Sequence, residues 1–120
     1  MVFKKVLLMN TKKRVLIVDD GDIWQTATST LGVSDEGGEV VVVKTAREAS
    51  SYFNGKADAE LLIVGKVEGV SDFVRDVRGR FGRLHIIGLA EHRQALTNLG
   101  CSCFVAHDAL SHVVRSRLHY

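Results

Sequence analysis

Three acids, Asp19, Asp20 and Asp22, stand at the exit of the apolar run "RVLIV" (residues 14–18). Charge is costly to desolvate, so carboxylates at the end of a buried strand call for a task. A pair of carboxylates can hold a divalent cation or manage a phosphoryl group, provided that further ligands and a nucleophile converge on it. A second cluster lies in "CSCFVAHDALSH", where Cys101, Cys103, His107 and His112 offer four donors of the kind zinc takes. Their spacing is not that of a zinc module. Cysteines two apart on a strand share one face, so both are expected as small buried core side chains. A disulfide between them is not expected, because their Cα atoms on an extended chain sit near the upper limit for bridging.

Positioning the acids requires a scaffold, and five apolar runs supply one: "RVLIV" (14–18), "EVVVV" (39–43), "ELLIV" (60–64), "LHIIGLA" (84–90) and "CSCFVA" (101–106). Continuous Val- and Ile-rich runs suit strands buried on both faces, as in a parallel sheet covered by helices. Helical spacing fills the gaps. Asp22 or Gly21 can start a helix carrying Ile23, Ala27, Thr30 and Leu31, which Gly32 ends. Thr45 precedes a helix with Ala46, Ala49 and Phe53 on one face and Gly55 as its stop. Ser71 is the expected N-cap of "DFVRDVRGRFG", whose apolar stripe is Phe73, Val74, Val77 and Phe81. "EHRQALTNLG" turns Ala95, Leu96 and Leu99 inward, and the last helix carries Leu110, Val113, Val114 and Leu118. Alternating strands and helices with right-handed crossovers give an α/β, three-layer, doubly wound fold. Its site belongs beyond the carboxyl ends of the strands, where Asp19, Asp20, Lys44, Gly65, Lys66, Ala90 to His92, His107 and Asp108 fall.

The totals narrow the function classes. With 120 residues and 46% hydrophobic content the chain makes one globular domain, 1–120, with residues 1–12 as an N-terminal extension and a fold core over about 13–119. A net charge of +2 is too small to argue for nucleic acid as a partner. No apolar run approaches the roughly 18 to 20 residues that span a bilayer, so no membrane role is expected. "MVFKKVLLMN" is too short in its apolar part for a signal peptide, and a cytoplasmic location follows. The segment "KKVLLM" could pair along a sheet edge or with another chain. Arg75, Arg78, Arg80 and Arg83 read as a solvated basic face, and Trp24 as a packed side chain of the first helix.

The order and spacing of "VLIVDD", "AELLIVGK", "HIIGLAEH" and "GCSCFVAHD" resemble a receiver domain of the two-component response-regulator family over residues 13–119. The resemblance implies a flavodoxin-like, five-stranded parallel sheet of order 2-1-3-4-5. It also implies phosphoryl transfer to an aspartate at the end of the third strand, with Mg²⁺ held there and by the acid pair after the first. Carried over residue by residue, the acid pair falls on Asp19 and Asp20, the nucleophile position on Gly65, and the hydroxyl position of the fourth strand on Ala90. The lysine position falls on His107, with Asp108 in place of the following proline, and the aromatic position of the fifth strand is kept as Phe104. Glycine has no attacking oxygen, so phosphorylation at the usual position is excluded and the chain resembles a pseudo-receiver. Glu68, three residues on, is the one acid nearby that could substitute.

The retained acid pair has three readings. Asp19 and Asp20 are relics, one capping the first helix and the other hydrated or paired with Lys66. Alternatively, His107 reaches them and senses pH. In the third reading Asp19, Asp20 and Glu68 keep a divalent-metal site, with weak Mg²⁺ binding as the only cofactor to consider. The function expected from the resemblance is that of a stand-alone, non-enzymatic signalling module that acts through protein contacts, because the chain stops at Tyr120 after the fifth helix. Its expected surface is Arg93, Gln94, Phe104, His112, Arg115 and Arg117, for self-association as a homodimer or for a signalling partner. The alternative is a small-ligand or pH-sensing domain that uses the crevice above Gly65 and Ala90.

Overall fold

Val, Leu and Ile dominate the first four strands, and the inner strands (the first, third and fourth) are buried on both faces as a result, while the edge strands are half-buried. The computed structural model describes residues 13–20, 38–110 and 112–114. Its elements are β1 (Lys13–Val18), β2 (Gly38–Val43), α1 (Ala46–Ser50), β3 (Leu61–Val64), α2 (Val70–Arg80), β4 (His85–Leu89), α3 (Arg93–Leu96) and β5 (Cys103–Val105). Single 3-10 turns cover Ser51–Phe53, Ala90–His92 and His107–Ala109, and residues 112–114 are helical. The five strands are parallel and ordered β2-β1-β3-β4-β5, as the resemblance implies. The predicted helix over residues 22–31, with Trp24, lies outside the described residues, as do residues 1–12.

Strand alternation sorts the core into two halves. Leu16, Val18, Leu62, Val64 and Ile86 face one side, where they meet Ala49, Phe53, Phe73, Val74, Val77 and Leu96 from the helices. Val15, Ile17, Leu61, Ile63, Ile87 and Leu89 face the other, against Leu110 and Val114. Burying each such side chain stabilises the fold by about 1.5–3 kcal/mol relative to leaving it in water. Phe53 anchors the first half through ring contacts with Phe73 and Phe81, both at 5.8 Å between centroids.

Several local expectations change. Thr45 caps α1 as anticipated, its hydroxyl accepting the Glu48 N–H at 3.1 Å. Ser71 does not cap α2. The helix begins at Val70 after Gly69, whose φ of 78° is the left-handed conformation that a side chain would resist. The segment expected as a full helix after β4 is a 3-10 turn followed by the four-residue α3. Thr97 is already extended and ends α3, after which Asn98 and Gly100 turn left-handed, with φ of 68° and 116°. Leu96 and Leu99 are buried as expected, whereas Ala95 is exposed.

The N-terminal edges of β1 and β2 are tied by Arg14. Its guanidinium meets Glu39 at 2.7 Å and Asp58 at 2.6 Å, and it lies 5.4 Å from the Tyr52 ring centroid. The hydrogen bond to Glu39 raises the Arg14 pKa, against the opposing effect of burial.

Candidate functional site

The carboxyl ends of β1, β2 and β3 converge on Asp19. Its backbone N–H donates to the Val43 carbonyl at 3.1 Å, and the Gly65 N–H donates to the Val18 carbonyl at 2.8 Å. These two bonds carry the parallel ladders one residue past the strands and bring Asp19 alongside Gly65. The Asp19 side chain then turns inward and is 5% exposed. A Cβ built on Gly65 would land on the Asp19 carboxylate, 2.7 Å from its Cγ and 3.1 Å from its Cβ. Asp19 therefore fills the space through which a side chain at position 65 would leave the backbone. The two neighbouring acids part company: Asp19 is buried and Asp20 is exposed.

Asp20 instead lines an open cleft of about 600 Å³ with Lys44, Thr45, Ala46, Arg47, Val67, Glu68 and Gly69. Among the described residues no group of three or more His, Cys, Asp or Glu side chains is placed to hold a metal ion. Asp19 is buried against Gly65 and Asp20 faces the open cleft, so the two carboxylates point into different surroundings. No ion pair joins Asp20 to Lys66 among the described residues.

Ala90 lines a second, smaller cleft of about 230 Å³ with Lys66, Glu91, His92, Arg93, Gln94 and Ala95. Gly65 lines neither of these two clefts, and the Asp19 carboxylate packs beside it. His107 belongs to the 3-10 turn after β5, and its side chain lies outside the described atoms. The pH-sensing pair it would form with Asp20 lies there too.

On the expected partner surface, Arg93 and Phe104 come together. The Arg93 guanidinium sits 5.2 Å from the Phe104 ring centroid, an arrangement worth about 0.5–1 kcal/mol at an exposed site. Gln94 and His112 are exposed, and Arg115 and Arg117 lie outside the described residues. Phe104 can lie flat on the sheet because Gly88 faces it across β4 and β5; a Cβ on Gly88 would come within 2.7 Å of the ring. Sequence reasoning missed Gly88. Its signal was a glycine inside an otherwise apolar strand, which marks a close approach.

The arginine run is also more than a solvated face. Arg78 donates to the carbonyls of Gly100 (2.8 Å), Gly82 (2.9 Å) and Leu84 (2.9 Å), tying the end of α2 to the segments that lead into β4 and β5. Arg80 bonds Asp76 and the Phe53 carbonyl. The cysteines do not share a face. Cys101, which precedes β5, packs with the first half of the core and Cys103 with the second. Both are free thiols; burial pushes the Cys101 thiol pKa up, and Cys103 Sγ lies 3.8 Å from His85 Nε2.

This architecture is that of response-regulator receiver domains. A CheY-like receiver domain protein from Methanospirillum hungatei superposes with a TM-score of 0.69 at 19% identity, covering 91% of this chain and 95% of its own. The chemotaxis response regulator CheY4 of Vibrio cholerae gives 0.67 at 24% identity, covering 90% and 99%. The response regulator TrrA of Thermotoga maritima, crystallised in complex with Mg²⁺ and beryllofluoride, gives 0.67 at 23% identity, covering 88% and 98%. No family model matches the sequence, and no curated protein does. No helix among the described residues is long and apolar enough to cross a membrane.

Proposed function

We propose that this chain is a pseudo-receiver: a signalling module of receiver fold that takes no phosphoryl group at position 65 and acts by binding protein rather than by catalysis. The observation that carries this reading is the Asp19 carboxylate in the space beside Gly65. Without a side chain at position 65 there is no attacking oxygen, and the Asp19 side chain stands where a new one would emerge. Ala90 adds to the argument, because it has no hydroxyl with which to receive a phosphoryl oxygen. The test is a titration of the labelled protein with beryllofluoride and Mg²⁺, followed by backbone chemical shifts. The reading expects no saturable change at Asp19, Gly65 or Ala90; a saturable change there would overturn it.

Output would pass through the surface around Arg93, Gln94, Phe104 and His112. It suits self-association as a homodimer or an acidic signalling partner. The aromatic ring capped by a guanidinium is the kind of pair on which interfaces concentrate their energy. Charge reversal by Arg93→Glu should weaken self-association in sedimentation, or capture of the partner, and unchanged association would move the interface elsewhere.

A further inference from the structure

The larger cleft is electrically divided. Its lining comes from three adjacent strand ends: Lys44 and Arg47 after β2, Asp20 after β1, and Glu68 after β3. Cations thus stand on one side and acids in the middle and on the other side. Among the described residues no ion pair joins the two sets, so neither neutralises the other. The floor between them is Ala46, Val67 and Gly69, where the two loops approach closely; a Cβ on Gly69 would lie 3.6 Å from that of Ala46. The Thr45 hydroxyl is occupied in capping α1 and offers the cleft little.

A ligand for such a cleft carries an anion at one end and a cation at the other, with a small, mostly apolar middle. Adjacent strands are about 4.8 Å apart, so the β2 and β3 ends are separated by about 10 Å. Three extended residues span at most about 10 Å. We propose that this cleft binds a short unblocked peptide, with its terminal carboxylate at Lys44 and Arg47 and its terminal ammonium at Asp20 and Glu68. The cleft volume of about 600 Å³ admits a tripeptide with its water, and falls within the roughly 300–1,000 Å³ of ordinary ligand sites. The proposal is independent of the phosphorylation argument, since none of the four charged groups is the buried Asp19.

The test uses the full chain and trialanine at low salt, read by backbone chemical shifts. Saturable shifts are expected at Lys44 to Arg47 and at Glu68 and Gly69. N-acetyl-trialanine and trialanine amide should each bind about fivefold more weakly, the scale of one exposed ion pair. The double variant Lys44→Gln/Arg47→Gln should abolish the penalty for the amide, and Asp20→Asn/Glu68→Gln the penalty for the acetyl group; all four side chains are exposed, so the fold is not at stake. Absence of saturable shifts, equal binding of all three peptides, or shifts confined to residues 90–95 would overturn the proposal.

Discussion

At position 65 the backbone carries no side chain and the Asp19 carboxylate packs into the space beside it. Adding a side chain there is consequently not a neutral change. Gly65→Ala is predicted to destabilise the protein by about 1–3 kcal/mol through overpacking. Asp19→Ala in the same chain should recover most of that loss, because it removes the carboxylate that the new Cβ meets. Denaturant midpoints of the two single variants and the double variant provide the measurement; additive losses would mean that the two side chains do not compete for the same space.

At the level of elements, α2 is fixed less by its cap than by its end. Arg78 serves three carbonyls at the segments leading into β4 and β5, and Gly100 lets its stem pass, since a Cβ there would be 2.8 Å from Arg78 Cγ. Replacing Arg78 by Ala is predicted to cost about 1–3 kcal/mol, the penalty for leaving such groups without a donor. Lysine should recover little, because an ammonium on a flexible stem cannot reproduce a planar fork of donors. A thermal-melting comparison of Arg78→Ala and Arg78→Lys decides this, and full recovery by lysine would show that charge alone matters. None of this was legible in "RDVRGR", where periodicity places the arginines outside without saying whose carbonyls they meet. The cysteines failed for a related reason. Alternation predicts one shared face only if both residues lie in the strand, and β5 starts at Cys103.

Across the whole molecule, the strands and their burial on both faces were legible because buried parallel strands write themselves as apolar runs, whereas the sheet order followed only from the family resemblance. β1 and β3 are each apolar on both faces, with Ile17 and Ile63 on one side and Leu16 and Leu62 on the other. Helix lengths were less legible, since the short 3-10 turn Ala90–His92 and the extended Thr97 that ends α3 are set by backbone angles that periodicity does not report. The geometry of the candidate site was not legible. The sequence names Asp19, Asp20 and Gly65, yet the separation of the two acids into a buried and an exposed one emerges only from the ladder bonds around Val18 and Val43.

Intact mass after incubation with acetyl phosphate and Mg²⁺ tests the central claim most directly. The mass should stay that of the unmodified chain, at neutral pH and on a timescale that fully labels an ordinary receiver in parallel. A phosphoryl adduct that maps to Asp19, Asp20 or Glu68 would contradict the account and return the protein to phosphoryl-transfer signalling.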